Sequence, residues 1–148
     1  MKTGKLTLGN AVVDLPILRA ACGPNALAAI ADALNEAWSA ASWVPTTIRS
    51  QVEIAVGEIA ANIIEHAGRI QTATMEMQMQ ILGDHVEVAF TDTGIQAQID
   101  LDGIQMPDEL AERGRGLAIA KTVLAQLDYS RSELGNHWTL ISQTFNAA

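Results

Sequence analysis

Polar and apolar residues alternate over residues 5–8, which predicts a short strand. Residues 11–23 keep no steady period and are broken by Pro16, Gly23 and the following Pro24, so no element is assigned there. Asn25 fits a helix N-cap, and residues 26–41 are alanine-rich with helical apolar spacing. Trp43-Val44-Pro45 interrupts that run. Thr46 opens a second long helix expected to reach Ala67, with Gly68 as its stop.

Beyond it the period changes from helical to two. Ala73, Met75, Met77, Met79 and Ile81 alternate with Thr74, Glu76, Gln78 and Gln80, which predicts a strand with one buried face. The methionine stripe reads as core packed on helices rather than as a promiscuous binding surface. Gly83-Asp84 turns the chain, and residues 85–91 return with Val86, Val88 and Phe90 on one side, giving a hairpin. Residues 95–113 hold no period and contain Gly103 and Pro107, with room for a short helix near 108–112. So long an irregular stretch inside a compact domain suggests a lid. Residues 117–127 read as a helix, with Leu117, Ile119, Ala120, Val123, Leu124 and Leu127 as its apolar stripe. Residues 129–133 and 137–145 read as a closing hairpin around Leu134-Gly135-Asn136. The order of elements suggests one α+β domain over residues 1–148, a two-layer sandwich with helices on one face of a mixed, mostly antiparallel sheet.

Composition narrows the partners. The formal net charge is −8 over 148 residues, so there is no broad basic footprint and nucleic acid is not an expected partner. Cys22 is the one cysteine, which excludes an internal disulfide and reads as a small apolar residue in a reducing compartment. The N-terminus lacks the apolar run of a signal peptide, and no stretch approaches the length of a membrane span. A soluble, cytoplasmic protein is expected.

Three pieces carry candidate chemistry. On the 46–67 helix, Gln51, Glu58, Asn62 and Glu65 fall in one narrow strip flanked by Ile54 and Ala61 on one edge and by Val52, Ala55, Ile59 and Ile63 on the other. Polar groups set into an apolar surface are expected to be buried or to face a ligand. Glu58 and Asn62, at i and i+4, reach one point above the helix and could hold a hydrated Mg²⁺, or could form a polar seam with each other. His66 in the last turn suits the helix dipole. Asp92, at the end of an apolar strand, could accept from an exocyclic amine such as the N6 of adenine, or could simply make an Asp-x-Gly turn with Gly94. Gly114-Arg115-Gly116-Leu117 opens a helix whose N–H groups can face an anion. Arg115 could touch phosphate or lie on the surface. The chain has no Walker A loop, and Ile119 occupies the last glycine position of a dinucleotide fingerprint.

Taken in order, these motifs resemble the histidine-kinase-like ATPase superfamily. Glu58, Asn62 and His66 match its N-box, Asp92 and Gly94 its first glycine box, and Gly114 and Gly116 its second. Within it the run from Gly114 to Leu117, with Leu127-Asp128 ahead of a hairpin, looks most like the bacterial anti-sigma-factor serine/threonine kinases. The resemblance covers residues 44–142 well and the N-terminal third in outline. Asp92-Thr-Gly94-Ile-Gln96 lacks the second glycine of larger superfamily members, a feature shared with the serine-kinase branch.

The resemblance implies a Bergerat-type ATPase fold and an ATP- and Mg²⁺-dependent kinase. Asn62 would ligate Mg²⁺, Asp92 would bind the adenine amine, and Glu58 would act as general base. Gly94, Gly114, Arg115, Gly116 and Leu117 would shape the pocket and phosphate loop, and Thr139 would support adenine. The substrate would be a small anti-sigma-factor antagonist protein and the second partner a sigma factor; a homodimer fits the family. Histidine kinases differ in having a phosphoacceptor helix ahead of the ATP domain, which this chain is not expected to carry. The alternative is a non-catalytic binding module that sequesters a sigma factor or antagonist, nucleotide-gated or not.

Overall fold

The computed structural model describes residues 12–67, 73–94 and 115–146. Strands β1 (Val13–Asp14) and β2 (Leu18–Ala21) precede helices α1 (Pro24–Ala40) and α2 (Thr46–Ala67). Strands β3 (Thr74–Ile81) and β4 (Val86–Asp92), helix α3 (Arg115–Val123), and strands β5 (Gln126–Ser132) and β6 (Gly135–Ile141) follow. The strands form one sheet in the order β1-β3-β4-β6-β5, with β2 also on β3, and every described pairing is antiparallel. This is the expected α+β sandwich.

The period-two reading of β3 holds residue by residue. Met75, Met77, Met79 and Ile81 are buried, and they pair with Asp92, Phe90, Val88 and Val86 of β4. Directly opposed residues project to the same face. On β6, Trp138 and Leu140 join that face opposite Phe90 and Val88. Ile48, Val52, Ala55, Val56, Ile59 and Ile63 of α2 supply part of the facing helical layer.

Several boundaries differ from the sequence expectation. Helix α1 begins at Pro24 with Gly23 as N-cap, not at Asn25. Proline at the first helical position has no N–H to waste and a φ already suited to the helix. The ambiguous residues 11–23 contain β1 and β2, strands too short for periodicity and made by pairing with β3. Helix α3 stops at Val123: Ala125 N donates to Ile141 O at 2.9 Å, and that bond starts β5. Leu124 and Leu127 still reach the core, Leu127 from a strand. The last turn lies at Glu133-Leu134, since Ser132 pairs with Gly135 and Asn136 is already in β6. The strand expected at 5–8, the stop at Gly68 and the lid with its short helix near 108–112 lie outside the described residues.

One ionic cluster sits at the β3–β4 turn. His85 Nδ1 lies 2.8 Å from Asp84 Oδ1 and Nε2 lies 2.8 Å from Glu87 Oε2. Partial burial disfavours the imidazolium, but the hydrogen bonds and charges of Asp84 and Glu87 outweigh it and raise the pKa above its ordinary 6.5. A group with a raised folded pKa stabilises the fold fully below its unfolded value and loses that contribution as pH rises through the folded value. His85→Gln is therefore expected to lower the melting temperature at pH 6 and to lower it progressively less as melts are repeated up to pH 9. An equal loss at both ends would contradict the ion-pair account.

Candidate nucleotide site

The C-terminal half of α2, the end of β4 and the start of β6 line a small open cleft. Asn62 and His66 contribute from α2, Asp92 from β4, and Asn136 and Trp138 from β6. Two of the three motifs thus meet on one surface. A larger groove lies between Leu15, Ile17, Ala33, Glu36, Met77 and Met79. Its lining is mostly apolar, so convergence of polar groups, and not size, marks the candidate site.

Asp92 is 2% exposed. Its Oδ1 accepts from Gly94 N at 2.8 Å and from Asn136 Nδ2 at 2.9 Å. The Asp-x-Gly turn is therefore real, and Thr93 ties it to β3: Thr93 N donates to Thr74 O, and Thr74 N donates to Thr93 Oγ1, both at 3.0 Å. That turn does not exhaust the carboxylate, because Oδ2 takes no hydrogen bond among the described residues. A buried acceptor held in place on a cleft is what an exocyclic amine needs. The Cys22 thiol is pushed up to about 11 by burial and, second, by the Asp92 charge. Packed against the core, it fits the apolar role expected of it.

Gly94 is needed for space. A Cβ there would stand 2.6 Å from Ala67 Cβ and 2.9 Å from Asp92 Oδ1, so the turn can close on the end of α2 only without a side chain. Gly116 brings α3 close to the first motif, although the atom it approaches is the movable end of a side chain. A Cβ at Gly116 would collide with Glu58 Oε1 and lie 3.3 Å from its Cδ. The start of α3 therefore rests on the Glu58 carboxylate, which links the helix motif to the glycine motif. Leu117 is buried beside it and Arg115 is exposed. Gly114 lies outside the described residues.

Two expectations need correction. The polar strip of α2 is a border, not an inlay: Ile54 and Ala61, expected as an apolar flank, are exposed, as is Glu65. Glu58 and Asn62 are half-buried at the edge where α2 turns from core to cleft. Thr139 pairs with Ala89 and Asp128, one residue out of step with Asp92–Asn136 and Phe90–Trp138. Alternation puts it on the sheet face away from the cleft, so it does not support a base there. The residue that stands beside Asp92 is Asn136, which follows Gly135 and reads as turn chemistry in the sequence. Counting back by two from the core residue Trp138 is the signal that finds it.

An acid at a strand end and a carboxamide on a long helix thus face one cleft of an α+β domain. The chain belongs to the histidine kinase-like ATPase domain family, whose model matches residues 21–142. No curated protein matches the chain. The family match begins at the last residue of β2 and includes every element that lines the cleft. Among the described residues no helix is long and apolar enough to cross a membrane.

Proposed function

We propose that the protein is an ATP- and Mg²⁺-dependent serine/threonine protein kinase that acts on a small anti-sigma-factor antagonist protein and also binds a sigma factor. The observation that carries this reading is the contact of the Glu58 carboxylate with Gly116 at the start of α3. It sets an acid beside a glycine-opened helix start, the place for phosphate, while Asn62 and Asp92 share the neighbouring cleft.

In this reading Asp92 Oδ2 accepts from the adenine amine and fixes the base. Glu58 accepts the proton of the substrate hydroxyl as its oxygen bonds to the γ-phosphorus and the bond to the β-phosphate oxygen breaks, releasing ADP. Mg²⁺ prefers oxygen ligands and keeps several waters, so the Asn62 carboxamide oxygen suits it as a protein ligand without a dedicated cage. When bound it supplies neutralisation of phosphate charge.

The test is incubation of the purified protein with γ-labelled ATP, Mg²⁺ and antagonist-type partner proteins. Label is expected on a serine or threonine of the partner. Glu58→Ala is expected to reduce transfer by about 100-fold or more while ATP still binds. Tight ATP binding with no transfer to any partner would sink the kinase and leave a nucleotide-gated binding module.

A further inference from the structure

Asn136 belongs to none of the three motifs, yet it is 4% exposed and stands between the base-facing acid and the edge strand β5. Its carboxamide can be oriented in one way only. A carboxylate has no proton to give, so Nδ2 must face Asp92 Oδ1, at 2.9 Å. A guanidinium only donates, so Oδ1 must face Arg131 Nη1, at 3.3 Å. The same Oδ1 accepts from the Tyr129 hydroxyl. Reversing the amide would set acceptor against acceptor and donor against donor.

The partners of Asn136 are themselves held. The Tyr129 ring packs on Trp138 with centroids 4.7 Å apart. Arg131 Nη1 also donates to Gly94 O at 2.6 Å, pinning the turn that follows Asp92. A chain of fixed polarity therefore runs from Tyr129 and Arg131 on β5, through Asn136 on β6, to Asp92 on β4.

We propose that Asn136 is a positioning residue for base selection: by filling Asp92 Oδ1 it leaves Oδ2 alone to meet the base, and to meet it only with a donor. This rests on the ATP-site reading above. A carboxylate free to rotate could turn either oxygen away or admit a water between itself and a mismatched base. With Oδ1 held by Gly94 N and by Asn136 Nδ2, the plane of the group is set. A 6-amino purine then donates to Oδ2, whereas a 6-oxo purine puts an acceptor against it. Asn136 acts through Asp92 and enforces that discrimination from behind.

Binding of ATP and of inosine triphosphate, which carries the 6-oxo group, measured by titration calorimetry tests the assignment. The wild-type protein is expected to prefer ATP. Asn136→Ala is expected to lower the ATP-to-ITP affinity ratio by about tenfold, through weaker ATP binding. Tyr129→Phe keeps the ring on Trp138, removes only the hydroxyl, and is expected to lower the ratio by about threefold. An unchanged ratio in both variants, or equal loss of ATP and ITP affinity, would overturn the proposal, since a purely structural role predicts one of these. If Asn136→Ala does not fold, Tyr129→Phe decides alone. Wild-type protein that binds both nucleotides equally overturns this proposal and spares the ATP site. Wild-type protein that binds neither overturns both.

Discussion

Asp92→Asn is expected to weaken ATP binding by about 100-fold or more without unfolding the protein. The two groups behind Asp92, Gly94 N and Asn136 Nδ2, are both donors, at 2.8 and 2.9 Å. They demand an oxygen, so an asparagine would keep its carbonyl there and turn its NH₂ toward the cleft. The amine of adenine would then meet a donor where it had met a carboxylate oxygen. The loss combines a charge-assisted hydrogen bond with two donors left facing each other. Inosine triphosphate, which offers an acceptor, is expected to lose much less affinity, so the preference shifts toward the 6-oxo base. Calorimetric titration of both nucleotides, beside a thermal melt, reads the effect. A folded variant within threefold of wild-type ATP affinity would show that Asp92 does not contact the base.

Gly135→Ala is expected to be the most destabilising conservative change in the described part of the chain. Gly135 has φ +128°, a conformation that side-chain-bearing residues rarely adopt. A Cβ there would also collide with Asp92 O and lie 3.0 Å from its carbonyl carbon and 3.3 Å from Thr93 Cα. These are backbone atoms, which no rotamer change can move aside. Strain of about 1–3 kcal/mol from the backbone and a similar amount from overpacking give roughly 3 kcal/mol or more. Urea denaturation is expected to show the drop in midpoint. Gly83→Ala in the β3–β4 turn, where nothing lies within 4 Å, is the matched control and is expected to stay within about 0.5 kcal/mol. Equal stabilities for the two variants would contradict the packing described at Gly135.

How much of this was legible in the sequence depended on whether a residue's surroundings were local. The β3 stripe could be read because each methionine faces the helices, and α2 because its buried residues keep the helical period. Asn136 could not be read so simply, because Gly-Asn is ordinary turn chemistry. What moves the turn back to Glu133-Leu134 is the positive φ of Gly135 and its approach to the Asp92 carbonyl, a contact across strands. The resemblance points to Thr139, but strand register decides the face, and register is a property of the pairing with β4. The α2 strip was placed correctly in angle. Which of its edges met water depended on where β4, β6 and α3 pack, and a helical wheel holds no such information.

Two of the bonds that hold Asp92 and its turn from behind join residues far apart in the chain. Asn136 reaches Asp92 across 44 positions, and Arg131 reaches the Gly94 carbonyl across 37. A chain emerging from the ribosome therefore completes α2 and β4 well before it owns Asn136 and Arg131, which complete the hold on the acid and its turn. Local helix formation cannot rehearse the site; it appears only when the C-terminal hairpin docks, and such non-local closure is slow relative to helix formation. A truncated or partly folded copy would carry the helix and the acid of the motifs without the long-range bonds that fix the acid and its turn.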